Sequence, residues 1–206
     1  MAGPGIIELD VFFDFLCPFV YRASVLLENV ARSESRRLRV NWRYFSLTQV
    51  NSKDDGWTVW AAPAGERVRG RLAFRAAEAA RRQDAFEPLR TAMLLARHRD
   101  RLDIDDDEVV DRVAAEAGLD LHRFRTDMAD PAILERLAAD HTEAVTALGV
   151  FGTPTFVFAN GESAYVRLSS PIEAPEADEV FERLVSVASL EPSILEIKRP
   201  RKPSPD

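Results

Sequence analysis

Two short stretches, far apart in the chain, carry the residue types that chemistry needs. The first is Phe13-Asp14-Phe15-Leu16-Cys17-Pro18-Phe19-Val20, which holds the one cysteine of the sequence. The second is Gly152-Thr153-Pro154-Thr155-Phe156, with its proline between a helical stretch and a strand. Proline is tolerated in a first helical turn, where its missing N–H would lack a partner anyway, so Pro18 marks N1 of a helix and Cys17 its N-cap. There the helix dipole and the free N–H groups favour negative charge on sulfur, which makes Cys17 a candidate nucleophile; the other reading of a free cysteine is a small buried hydrophobe. A single thiol closes no intramolecular disulfide and builds no multi-cysteine zinc site. Val20, three positions on, cannot attack a mixed disulfide, so resolving one at Cys17 requires an external thiol.

Other side chains are open to two readings each. Asp14 either orders the loop before Cys17 through backbone hydrogen bonds or ends a strand as a turn residue; as an anion near the sulfur it would oppose a thiolate. His141 falls on the stripe Leu134, Leu137, His141, Val145, Leu148, and reads as a satisfied core histidine or a catalytic one. His98 and His122 lack a spaced metal partner and are assigned no role. Trp57 and Trp60 either wall a substrate groove or pack against helices. The arginines of 67–82 read as a solvated helix face, with an anion site for a charged thiol cosubstrate as the alternative.

The elements that must position these residues follow from periodicity. In 6–13, Ile7, Leu9, Val11 and Phe13 share one face while Ile6 and Phe12 are apolar on the other, the pattern of a strand covered on both sides. Helical spacing occupies 19–29, and a second alternating strand runs over 38–45, together a right-handed βαβ unit. A long polar loop spans 46–64. Helices then cover 67–82, the stretch around Phe86 to Leu94, a stretch from Asp105 to Gly118, and one opened by Asp130 and Pro131. Strands at 155–159 and 164–168 flank Asn160-Gly161, a hairpin signal. A last helix over 177–188 places Val180, Leu184 and Val187 on one side, and 198–206 reads as a disordered basic tail.

Composition bounds the partners. With 206 residues, 46% hydrophobic and 30% charged, the chain can bury a core. A net charge of -7 gives no general attraction for phosphate backbones, which argues against nucleic acid. No apolar run approaches the roughly 20 residues of a membrane span. The N-terminus has neither a basic region nor an apolar leader, so a soluble, cytoplasmic protein is expected.

Taken together, the two stretches resemble the DsbA-like branch of the thioredoxin superfamily, including FrnE-type proteins, and are also similar to 2-hydroxychromene-2-carboxylate isomerases and kappa-class glutathione transferases. The resemblance implies an α/β, thioredoxin-like fold, with a βαβ half at 6–50, a helical insertion at 65–148 and a ββα half at 149–190. By the same resemblance Cys17 matches the nucleophile, Pro154 a cis-proline beside it, and Thr153 the residue whose backbone meets a bound thiol. Pro18, Phe19 and Trp57 are expected to contact substrate. Redox-active members carry a second cysteine where Val20 stands, and the isomerases and transferases usually carry serine where Cys17 stands. The expected activity is therefore a cytoplasmic thiol-disulfide oxidoreductase working through one cysteine. Its cosubstrate would be a low-molecular-weight thiol, with no tightly bound cofactor or metal. A thiol-dependent isomerase or transferase and a degenerate non-catalytic binding protein are the alternatives. The expected partner is a small thiol or disulfide, with no nucleic acid and no membrane, and a homodimer is left open.

Overall fold

The computed structural model describes residues 6–33, 37–63 and 65–199. Strand β1 (Ile6–Phe13) pairs in parallel with β2 (Arg37–Tyr44) and antiparallel with β3 (Thr155–Phe158), which in turn pairs antiparallel with β4 (Ser163–Tyr165). The order β2-β1-β3-β4 puts β1 inside the sheet, between strands from the two ends of the sequence. Apolar residues on both faces of β1 suit that place. Leu9, Val11 and Phe13 enter the main core, and Phe12 packs on the opposite side with Phe45, Ala144 and Val150. Helix α1 (Pro18–Arg32) connects β1 to β2, and α8 (Ala174–Ala188) packs against it.

Between β2 and β3 the chain forms α2 (Leu47–Val50), α3 (Arg71–Arg81), α4 (Phe86–His98), α5 (Asp107–Glu116), α6 (Leu121–Ala129), a 3-10 helix (Pro131–Leu134) and α7 (Glu135–Thr146). Two ion-paired arginines tie these helices to the sheet. Arg43 of β2 reaches Asp140 at 2.9 Å and Glu143 at 2.7 Å on α7, and the Asp140 carboxylate also accepts the Tyr44 N–H, covering the sheet edge. Arg90 of α4 lies over the Trp42 ring at 4.1 Å and pairs with Glu28 of α1. Among the described residues, no helix is long and apolar enough to cross a membrane.

Several boundaries differ from the periodicity, for physical reasons. The 46–64 stretch contains α2, because the Ser46 side chain caps it by accepting the Gln49 N–H. Helix α6 buries only Phe124 fully, with Leu121 and Met128 half-buried on the same face, a short stripe that periodicity does not separate from its neighbours. Asp130 and Pro131 open the 3-10 helix rather than α7 itself. On α7 the buried set is Leu137, Asp140, His141 and Ala144, whereas Val145 and Leu148 of the expected stripe are exposed. On α8 the anchors are Ala177 and Phe181, and Val187 is exposed. The arginines of 67–82 are not uniformly solvated: Arg71 is buried and donates to the Pro63 carbonyl at 3.1 Å, and Arg81 lies over the Phe86 ring at 3.7 Å. Of the expected basic tail, 200–206 lies outside the described residues.

Candidate active site

Cys17 is the N-cap of α1 and Pro18 sits in its first turn. The Cys17 backbone carbonyl accepts from the Val20 N–H at 3.1 Å, which starts the helix. The side chain does something other than cap. Its Sγ makes no capping bond and instead donates to the Thr153 carbonyl at 3.2 Å, a contact that exists only while the thiol keeps its proton. The expectation that sulfur aims at the free helix N–H groups is corrected by this geometry: the facing acceptor is supplied by the loop before β3. In that loop the Thr153-Pro154 peptide bond is cis. The loop is held by Thr155 Oγ1 donating to the Gly152 carbonyl at 2.8 Å and by the Val166 N–H donating to the Pro154 carbonyl at 3.0 Å.

Three buried or half-buried groups fix the Asp14 to Cys17 turn. The Cys17 N–H donates to the Asp14 carbonyl at 3.1 Å. The Asp14 carboxylate, fully buried, accepts the Leu16 N–H through Oδ1 and the Leu47 N–H through Oδ2, both at 2.7 Å, and so joins the cysteine turn to the start of α2. Burial pushes its pKa up to about 6, against the pull of those two amides. His98 Nε2 lies 2.8 Å from the Phe15 carbonyl; because a carbonyl only accepts, Nε2 carries the proton, and burial lowers this histidine's pKa. The ring stacks on Tyr21 of α1, so α4 is fastened to the turn from outside. His141 belongs to the same corner. Its Nδ1 accepts the Ser46 N–H at 3.1 Å, its ring packs on Phe45, and burial pushes its pKa down to about 4. The arrangement is that of a satisfied interior histidine; His141 is not among the residues lining the cavity at Cys17.

A cavity of about 380 Å³ opens over the sulfur. Cys17, Pro18, Phe19 and Thr153 line it, joined by Leu16, Leu47, Val50 and Asn51 on one side and Phe151, Gly152 and Tyr165 on the other. Cys17 itself is only 4% exposed, so a reactant must enter this space to meet it. The walls are mainly apolar, and Phe151, 69% exposed, stands against Tyr165 at the rim. Thr153 Oγ1 is buried without a hydrogen-bond partner. Pro154 is buried behind Thr153 and does not line the cavity. Trp57 does not line it either: its indole N–H donates to Glu66 at 3.1 Å and its ring packs on the main core. Trp60 lies against His141. The aromatic wall expected from the tryptophans is thus built from Phe151 and Tyr165, which sequence reasoning missed. A phenylalanine between Gly149 and Gly152, outside any periodic pattern, was the available signal. No group of side chains suited to a metal ion occurs among the described residues.

The comparisons with known proteins agree with this fold. A family model described as DSBA-like thioredoxin domain matches residues 8–172. An uncharacterized protein of Mycobacterium tuberculosis is 27% identical over 201 residues, covering 95% of this chain and 83% of its own length. Among solved structures, a probable DsbA oxidoreductase from Streptomyces coelicolor superposes with a TM-score of 0.65 at 24% identity, covering 96% of this chain and 94% of its own. The cytosolic disulfide reductase DsbM from Pseudomonas aeruginosa, solved with GSH, gives a TM-score of 0.57 at 17% identity over 86% of this chain and 98% of its own.

Proposed function

Because the chain belongs to the DSBA-like thioredoxin domain family, we propose that it is a thiol-disulfide oxidoreductase working through Cys17 alone, with an external low-molecular-weight thiol as cosubstrate and the reducing cytoplasm as its setting. The observation that carries this reading is the sequence's one cysteine on the wall of an apolar cavity, its Sγ held by the Thr153 carbonyl. Val20, where a resolving thiol would stand, is fully buried and inert.

The reaction runs in two exchanges. Cys17 gives its proton to water, releases the hydrogen bond to Thr153, and attacks one sulfur of a disulfide in the cavity. A Cys17–sulfur bond forms, the substrate's S–S bond breaks, and the departing thiolate takes a proton from water. The external thiol, as thiolate, then attacks the substrate-derived sulfur. A new small disulfide leaves, and the Cys17 sulfur is regenerated. One substrate thiol is released and the other leaves joined to the cosubstrate, so electrons balance without any further reductant. Until it is deprotonated the thiol is held by the Thr153 carbonyl at the wall of the cavity, and the cavity walls position the disulfide against it.

Intact-mass analysis after incubation with an oxidised small thiol tests this. The expected result is a single mixed-disulfide adduct on wild type, none on Cys17→Ser, and loss of the adduct when reduced thiol is added. An unmodified wild-type mass, or full activity in Cys17→Ser, contradicts the reading; the second result is the one a thiol-dependent isomerase or transferase would give.

A further inference from the structure

A second cavity lies outside the thiol site. A cleft of about 490 Å³ is lined by Arg67, Arg69, Arg97, Arg101, Asp103 and Asp105, four cations against two anions. On a chain of net charge -7 that surplus is a local positive focus. Part of it is already matched. Arg67 pairs with Asp103 at 2.9 Å, and the Asp105 carboxylate accepts the Gly70 N–H through both oxygens at 2.8 and 2.9 Å. Among the described residues, no carboxylate stands within ion-pair distance of Arg69, Arg97 or Arg101. Arg101 also holds a backbone φ of 60°, a left-handed conformation in which glycine would be less strained.

The cleft borders the cysteine turn. A Cβ added to Gly70 would meet Leu16 Cδ1 at 3.0 Å, so the backbone that holds Asp105 lies directly against Leu16. Leu16 lines the cavity over Cys17. Leu16 and Gly70 therefore link the two: the leucine side chain lines the sulfur's cavity, and the Gly70 N–H holds Asp105 of the arginine cleft.

We propose that this arginine cleft is an anion subsite for the acidic end of the substrate, so that the preferred small disulfide carries carboxylates: its sulfur meets Cys17 while a carboxylate passes Leu16 to Arg69, Arg97 and Arg101. The proposal rests on the single-cysteine reading above. The guanidinium fork matches a carboxylate with two parallel N–H donors, which an apolar cavity alone cannot provide. Cys17 as thiolate and the acidic chain both repel anions, so an anionic disulfide that reacts faster than a neutral one requires a local cationic site.

The test is the rate of adduct formation at Cys17 in the full chain with two probes, dithiodipropionate and bis(2-hydroxyethyl) disulfide. Each rate is divided by that of the same probe with free N-acetylcysteine. The normalised rate is expected to be about tenfold higher for the dicarboxylate at low ionic strength, with the advantage fading in high salt. Arg101→Gly is expected to lower that advantage several-fold while leaving the urea midpoint unchanged or raised, since glycine relieves the left-handed backbone; Arg97→Gln gives an independent loss. A dicarboxylate no faster than the neutral probe, or an advantage that survives both substitutions, overturns the subsite and leaves Cys17 chemistry standing. Failure of Cys17 to react with either probe overturns the single-cysteine reading and the subsite with it.

Discussion

Asp14 and His141 hold adjacent amides, those of Leu47 and Ser46, and they titrate in opposite senses. Asp14 has its pKa raised to about 6, so its protonated form is favoured on folding; the stability this confers is full below its unfolded value near 4 and is lost as pH rises through about 6. His141 has its pKa lowered to about 4, so its stabilisation is full above the unfolded value near 6.5 and is lost as pH falls toward 4. Each shift corresponds to roughly 3 kcal/mol, and the two slopes largely cancel between pH 4 and 6.5. Single substitutions should unmask them. In urea unfolding, wild type is expected to exceed Asp14→Asn by more at pH 4 than at pH 7, and to exceed His141→Gln by more at pH 7 than at pH 4. Parallel pH profiles for wild type and Asp14→Asn would show that this carboxylate does not titrate in the buried site. Protonating His141 Nδ1 would set one N–H against the Ser46 N–H, which is why acid weakens this corner.

At the scale of elements, the first turn of α1 decides what the thiol can do. Positions 17 and 20 are three apart on one helix face, a separation that places side chains within disulfide reach. Val20→Cys is expected to form an intramolecular disulfide and to shed a small-thiol adduct from Cys17 without added thiol, whereas wild type retains its adduct. Equal adduct lifetimes by mass spectrometry would count against the helical placement of Cys17. Helix α3 bears on the same turn through its N-cap, Gly70, whose φ of 78° strains any other residue and whose added Cβ would crowd the Leu16 side chain at 3.0 Å. Gly70→Ala is expected to lower stability by about 1–2 kcal/mol, read as a lower urea midpoint, and to slow Cys17 by displacing Leu16. Pro18 announced α1 in the sequence because proline has one favoured place in a helix. Helix α6 falls inside the expected helical insertion but was not distinguished as an element of its own; it is held by Phe124, by half-buried Leu121 and Met128, and by the Asp120 cap, which accepts the His122 and Arg123 N–H groups.

At the scale of the whole molecule, the sheet brings residues 17 and 153 together because β1 and β3 are neighbours while α1 and the loop before β3 leave the same end. That convergence was legible only through the two motifs and the family they resemble, since no local pattern pairs strands some 140 positions apart. What stayed hidden depends on contacts between distant elements. The Asp14 bridge to Leu47, the His98 clamp on Phe15 and the Phe151–Tyr165 rim each join residues whose types alone carry no instruction to meet. Trp57 shows the converse, an aromatic whose type suggested a groove and which instead packs half-buried against the main core. The central claim is that one sulfur in this framework performs both exchanges. Its most direct measurement is intact mass followed through a full cycle: wild type is mixed with an oxidised small thiol, freed of excess reagent, and then given reduced thiol. The account predicts one adduct at Cys17 that persists until the thiol is added and then disappears with recovery of the unmodified mass. No adduct, or an adduct that the added thiol cannot remove, would contradict it.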